Sequence, residues 1–149
     1  MIKDLTLFEN SCSFKELIRL QGEEWGNEWE EFVLSNISSH SSIYKGLVYE
    51  SLGRVIGTCF LIEKDLPTRP ELFPWIAGVY VPPEYRQLGI ATSLVREMMY
   101  HIYKSRAFHK IYLFVHNFSL MQIYLELGWS FKEMDTYKDK PVWIMEWKP

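Results

Sequence analysis

The stretch of this sequence best suited to binding an anion joins a proline pair, an arginine turn and two small residues. It reads Val79-Tyr80-Val81-Pro82-Pro83-Glu84-Tyr85-Arg86-Gln87-Leu88-Gly89-Ile90-Ala91-Thr92. The prolines end a predicted strand because they cannot donate to a β-ladder, and Gly89 and Ala91 then open a predicted helix. The first amides of a helix lack internal partners and carry the positive end of its dipole. With Arg86 beside them the pattern is compatible with phosphate binding, but from this segment alone helix–strand packing by small residues is the favoured interpretation.

A second polar group follows the predicted buried strand from Ile111 to Val115. Asn117 comes just after the strand, and Tyr124 lies seven residues further on in a predicted helix. Gly128-Trp129 follows the end of that helix. A tyrosine hydroxyl ordinarily titrates near pH ~10, so Tyr124 could donate a proton at neutral pH. From the residues alone, the favoured interpretation is a core tyrosine packed on an amphipathic helix.

Together, and in this order, the two stretches resemble the GNAT superfamily of N-acetyltransferases. R-x-x-G-x-A from Arg86 to Ala91, preceded by Val-x-Val, is similar to motif A of that family. Asn117, Tyr124 and Gly128-Trp129 are similar to its later pattern N-x₆-Y-x₃-G-[FW]. Two departures are Ala91 in place of the commoner final glycine, and Leu120 where many members have alanine.

The resemblance implies acetyl-CoA as co-substrate, no metal, and a role for each matching residue. The backbone of Val79 and Val81 would pair with the pantetheine arm, and Asn117 would hydrogen-bond the cofactor. The hydroxyl of Tyr124 would act as general acid near the thioester sulfur. The pyrophosphate would be held by the amides of Arg86, Gln87, Leu88, Gly89, Ile90, Ala91 and Thr92.

Aminolysis of a thioester also needs a neutral amine and a donor for the developing oxyanion. A strand amide near Val79 could supply that donor. Some members of the family use a glutamate before motif A as general base, and Glu71 is the nearest carboxylate, so we predict it in that role. The alternatives are a water chain and the side chains of Glu50, Glu63, Asp65 and His116.

An acidic, ring-bearing segment near the N-terminus is the remaining chemical signal. Residues 21–31 hold five glutamates and no cation, with Trp25 and Trp29 one helical turn apart. In the GNAT fold the first two helices border the acceptor site, so Trp25, Trp29 and Glu28 are predicted to bind a cationic amine. The alternative is a pair of tryptophans that packs a helix onto the sheet.

The predicted elements agree with this fold: a mixed α/β domain over residues 1–149. Its sheet is mostly antiparallel with a splayed parallel pair, and helices cover both faces. The predicted helices cover residues 13–21, with Ser13 and Glu16 as a capping box, and residues 23–34, 89–104 and 119–127. The predicted strands cover residues 2–8, 42–51, 54–63, 75–81, 111–115, 129–133 and 142–147.

Composition narrows the classes of partner. The net charge of −3 argues against a general nucleic-acid binder, and no apolar run approaches the ~20 residues of a membrane span. Two cysteines without metal-ligand spacing and no visible signal peptide indicate the cytoplasm. The expected partner is a small-molecule or peptide amine, and a homodimer fits the family. Rival interpretations are a non-catalytic acyl-CoA sensor of the same fold and a domain that binds another phosphate ligand.

Overall fold

The computed structural model describes residues 1–39 and 41–149. The strands are β1 (Ile2–Asp4), β2 (Ile43–Ser51), β3 (Arg54–Ile62), β4 (Trp75–Tyr80), β5 (Ile111–Val115), β6 (Ser130–Tyr137) and β7 (Lys140–Trp147). The α-helices are α1 (Cys12–Trp25), α2 (Asn27–Asn36), α3 (Ile90–Ser105) and α4 (Phe118–Glu126), with short 3-10 helices at Leu5–Leu7 and Pro83–Tyr85. The hydrogen-bonded strand order is β1-β2-β3-β4-β5-β7-β6, and one pair, β4 with β5, is parallel. The predicted fold class is thereby confirmed.

The chain groups into two units, Met1–Leu61 with Gly78–Met98 and Ile62–Ala77 with Met99–Pro149. The prediction that residues 1–149 form a single domain stays a prediction. The predicted site residues divide between the units. Glu71, Asn117 and Tyr124 belong to the second unit, and the others belong to the first.

In the first unit, β3 carries helices on both of its faces. A Cβ at Gly57 would lie 3.1 Å from Leu94 and 3.2 Å from Ile90, which places α3 against that face. The ring of Phe60, on the alternate face, lies 5.6 Å from the ring of Trp29 in α2. Because successive strand residues point to opposite faces, the alternation along β3 fixes which helix each side chain meets.

Gly78 interrupts the regular geometry of β4. Its φ of +61° is the left-handed conformation that glycine adopts at β-bulges. A Cβ there would lie 2.4 Å from the ring of Trp29 and 2.6 Å from that of Phe60. Glycine is therefore required at this position for two reasons: the positive φ of the backbone and the lack of room for a Cβ beside the rings.

In the second unit, β5 is the central strand. Trp75 of β4 is its parallel partner at Tyr112, and β7 runs antiparallel to it from Ile111 opposite Trp147 to Val115 opposite Trp143. The buried residues of β5 and β7 are part of the core of this unit, together with Trp75, Ile102 and Trp129. β6 pairs with β7 at the edge, with a register shift between Phe131 and Glu133.

Three local predictions were wrong. The first strand ends at Asp4, whose carboxylate accepts a hydrogen bond from the Thr6 amide and caps a 3-10 helix. The predicted capping box at Ser13 does not form, because Ser11 caps α1 while the Ser13 hydroxyl accepts from the Val55 amide. The boundary between the first two helices falls at Gly26, with a φ of +114°, rather than at Gly22.

Among the residues that the structure describes, no helix has the combined length and apolar character of a membrane span.

Candidate functional site

The loop between β4 and α3 presents an open backbone surface at the start of a long helix. Gln87 and Gly89 have positive φ values of 64° and 79°, and a Cβ at Gly89 would meet nothing within 4 Å. The Ser93 amide donates to the Gly89 carbonyl over 3.0 Å, so the helical ladder begins there. The amides before that bond lack helical acceptors, and no side chain at Gly89 obstructs an anion that approaches the loop.

Arg86 lies across the base of this loop. Its Nε donates to the Val81 carbonyl over 2.7 Å, and its guanidinium carbon lies 5.5 Å from the centroid of the Tyr80 ring. One terminal nitrogen lies 3.6 Å from a carboxylate oxygen of Glu24, at the end of α1. The side chain is 45% exposed, so the guanidinium is held by Val81 and Glu24 while part of it still faces solvent.

The predicted substrate-binding tryptophans lie over β3 and β4. Trp25 contacts Tyr80 edge-on at 5.5 Å between ring centroids, and Trp29 lies 6.1 Å from Trp25. Burial raises the pKa of Tyr80, and the negative charge of Glu24 raises it further. Both indoles are partly exposed and Glu28 is exposed. The prediction that Trp25 and Trp29 share one helix was wrong, because Gly26 separates α1 from α2, and the two rings pack the end of α1 and the start of α2 onto the sheet. Their contact with an acceptor stays a prediction.

A buried chain of polar groups runs beneath Trp29, and the sequence prediction missed it. The Trp29 indole donates to Gln21 over 2.7 Å, Gln21 donates to the Thr58 hydroxyl over 2.8 Å, and Thr58 donates to the Gly78 carbonyl over 2.8 Å. One signal was available in the sequence. Gln21 falls at helical spacing from Phe14, Leu17 and Ile18, so the sequence predicts a polar side chain on the buried face of the helix.

In the second unit, the structure gives Asn117 and Tyr124 distinct local roles. The Asn117 side-chain oxygen caps α4 by accepting from the Leu120 amide over 2.9 Å. The Tyr124 ring meets that of Trp129 edge-on at 6.0 Å, and the Tyr124 carbonyl accepts from the Trp129 amide. Tyr124 is half-buried. Asn117 thus caps the start of α4, and Tyr124 packs against a ring that follows the end of the helix.

The carboxylates considered as general base differ sharply in their surroundings. Glu50 accepts from the Gly53 amide and pairs with Lys3 at 3.3 Å, and these contacts lower its pKa, so it serves the hairpin turn. Glu71 is exposed. The pKa of Tyr112 is raised mainly by burial, and the negative charges of Glu146 and Glu71 raise it further.

Glu146 in β7 and His116, just after β5, are partly withdrawn from solvent. One carboxylate oxygen of Glu146 is buried without a hydrogen-bond partner among the described residues. The pKa of His116 is lowered by burial and then by the positive charge of Lys140.

Asp65 has the most perturbed carboxyl of the base candidates. It lines a surface cavity of about 320 Å³ together with Lys64, Leu66, Pro67 and Pro70. Burial raises its pKa to about 7, because the surrounding protein disfavours the charged form. A carboxyl that titrates near neutrality can exchange protons at physiological pH, a property that Glu50 lacks.

The raised pKa of Asp65 predicts that the stability of the protein depends on pH. Since the folded state binds the Asp65 proton more tightly, the free energy of unfolding falls as pH rises from ~4 to ~7. Asp65→Asn removes that dependence. We expect the variant to gain ~1–3 kcal/mol relative to the wild type between pH 5 and pH 8, measured by urea denaturation. Glu63→Gln is the control and should keep the wild-type pH dependence of the free energy of unfolding. If Asp65→Asn also kept that dependence, the raised pKa of Asp65 would be contradicted.

No group of three or more His, Cys, Asp or Glu side chains in residues 1–39 and 41–149 is arranged to hold a metal ion.

Comparison with known proteins adds a family and a set of folds. Residues 10–129 match the model of the acetyltransferase (GNAT) family. Among curated proteins, no sequence matches this chain.

Solved structures of similar fold include three acetyltransferases. One is an aminoglycoside 6'-N-acetyltransferase complexed with coenzyme A, with a TM-score of 0.74 and 17% identity, covering 99% of this chain and 96% of that one. The ribosomal-protein-alanine N-acetyltransferase of Brucella melitensis has a TM-score of 0.73 and 15% identity, covering 100% and 99%. A variant of the spermidine N-acetyltransferase of Vibrio cholerae has a TM-score of 0.72 and 18% identity, covering 99% and 94%.

Proposed function

Because the chain belongs to the GNAT family of acetyltransferases, we propose that it transfers an acetyl group from acetyl-CoA to an amine. The observation that carries the proposal is the open loop before α3, where Gly89 faces empty space beside amides without helical acceptors. Those amides and the anchored Arg86 suit a pyrophosphate, which is doubly charged and needs several donors.

The predicted cofactor-binding residues have separate parts in binding. In our proposal the amides of Arg86 to Thr92 hold the pyrophosphate, and the backbone of Val79 and Val81 pairs with the pantetheine arm. Asn117 hydrogen-bonds the cofactor through its amide nitrogen, since its side-chain oxygen already caps α4. When bound, acetyl-CoA supplies an activated thioester carbonyl for attack by the amine.

Proton movements fall to other side chains. Tyr124 donates a proton to the departing thiolate. Glu71 remains our predicted base, and Asp65 is the second candidate because its pKa of about 7 suits proton exchange at neutral pH. The Val79 amide donates to the carbonyl oxygen as negative charge develops on it.

The acceptor is proposed to be an amine that is cationic in solution. The structural neighbours are named for aminoglycosides, spermidine and a ribosomal-protein alanine, which all present amines. Residues 21–31 carry five glutamates and no cation, which favours a positively charged acceptor.

Thiol release is the direct test of the proposed reaction. Purified protein is incubated with acetyl-CoA and a panel that holds spermidine, an aminoglycoside and a peptide with N-terminal alanine, and free CoA is measured. We expect amine-dependent release with at least one class. CoA binding without release across the panel would favour the alternative of a non-catalytic acyl-CoA sensor, and absence of CoA binding would reject both.

The acidic segment gives a prediction about the acceptor. Glu28→Gln together with Glu31→Gln should raise KM about 3–10-fold for a cationic amine and leave KM for acetyl-CoA unchanged. The effect should shrink as salt is added, because exposed charges are screened over ~8–10 Å. The control is Glu16→Gln, which removes an exposed glutamate of α1 that pairs with Arg19 and lies outside residues 21–31. Equal KM values at low salt would make this segment a solvated helix face.

A further inference from the structure

The polar chain under Trp29 ends on the backbone that precedes Val79. Gln21 and Thr58 are both 0% exposed, and each has its hydrogen-bond partners inside the protein. Burying an amide and a hydroxyl costs free energy that hydrogen bonds only offset. Replacing both partners of a buried hydrogen bond by apolar groups of the same shape can be nearly neutral for stability, so the polar pair points to a role beyond filling space.

The direction of every hydrogen bond in the chain is fixed from its outer end. The Trp29 indole can only donate, so the Gln21 oxygen must face it and the Gln21 amide group must face Thr58. The Thr58 oxygen therefore accepts, and its single proton goes to the Gly78 carbonyl. The chain thus holds one carbonyl of β4 in a defined direction.

Holding that carbonyl also aims an amide. The Gly78 carbonyl and the Val79 N–H belong to one planar trans peptide group, in which they point in opposite directions. Fixing the carbonyl toward Thr58 therefore turns the Val79 N–H away from it. The left-handed φ of Gly78 makes this peptide orientation available, and Trp29 and Phe60 enclose Gly78 on the side where a Cβ would stand.

We propose that Thr58 and Gln21 are positioning residues that hold the Val79 N–H in the direction required of the oxyanion donor. This inference rests on the proposed function, in which that amide stabilises charge on the thioester carbonyl. A donor fixed before the reaction need not reorganise as charge develops, and this fixed geometry gives such donors their large effect on rate.

The test reads the carbonyl itself and needs no acceptor. Acetyl-CoA labelled with ¹³C at the thioester carbonyl is bound to the protein, and its stretching band is measured by isotope-edited infrared spectroscopy. We expect a shift to lower frequency on binding to the wild type. Thr58→Val should lose at least half of that shift, and Thr58→Ser, which keeps the hydroxyl, should retain it. The Kd for CoA should stay within about threefold in both variants.

Trp29→Phe gives a second measurement if Thr58→Val does not fold. It removes the outermost donor and keeps a ring at a partly exposed position, so a smaller loss in the same direction is expected. A wild-type band in folded Thr58→Val or folded Trp29→Phe overturns the inference and leaves acetyl-CoA binding intact. Binding to the wild type without any band shift overturns it as well. A wild type that does not bind acetyl-CoA overturns the proposed function instead.

Discussion

Gly89→Glu should abolish CoA binding, with the Kd raised at least ~100-fold in isothermal titration calorimetry. A glutamate here brings its side chain into the empty space that faces the loop amides. It would occupy the place of the pyrophosphate and repel it, and it could itself accept hydrogen bonds from those amides. The wild type is expected to bind CoA in the micromolar range or tighter.

Gly53→Glu is a closely matched control. Gly53 has a φ of +80° against +79° at Gly89, and a Cβ at either position meets nothing within 4 Å. Both variants therefore incur a similar backbone cost, of about 1–2 kcal/mol for a left-handed residue. Only the Gly89 variant should lose CoA. Unchanged affinity in a folded Gly89→Glu protein would overturn the motif interpretation.

Local signals in the sequence predicted most of the fold. The run from Ile111 to Val115 forms β5 with the predicted bounds, and Pro82 stops β4 where its missing donor requires. Predictions failed where distant contacts decide the outcome. Ser13 was expected to cap a helix, but its hydroxyl is taken by the Val55 amide, 42 residues away. No local pattern can show such a competitor.

In the candidate site, too, residues that depend on local sequence could be predicted and residues that depend on distant contacts could not. Arg86 and Gly89 could be recognised because an anion site at a helix start needs residues that are close in sequence. Thr58 could not, since its importance depends on the Gly78 carbonyl of another strand and on a glutamine from α1. The raised pKa of Asp65 was also hidden, because burial by surrounding residues causes it.

Tyr124→Phe should lower kcat by ~10²–10⁴ and leave the Kd for acetyl-CoA within a few-fold, if this hydroxyl protonates the leaving thiolate. The change removes one oxygen and keeps the ring, so its packing against Trp129, 6.0 Å away, should persist. A CoA thiolate is a fairly good leaving group, and we therefore expect the lower end of the range.

The pH profile and a matched variant separate catalysis from packing. The high-pH limb of kcat should move or vanish in Tyr124→Phe if that limb reports the tyrosine hydroxyl. Tyr103→Phe, at a position 61% exposed on α3, is the control and should keep wild-type turnover. Wild-type turnover in the Tyr124 variant would make this residue part of the packing and leave solvent as the acid. A lower melting temperature with an unchanged rate per folded molecule would lead to the same conclusion, because the hydroxyl would then contribute to stability alone.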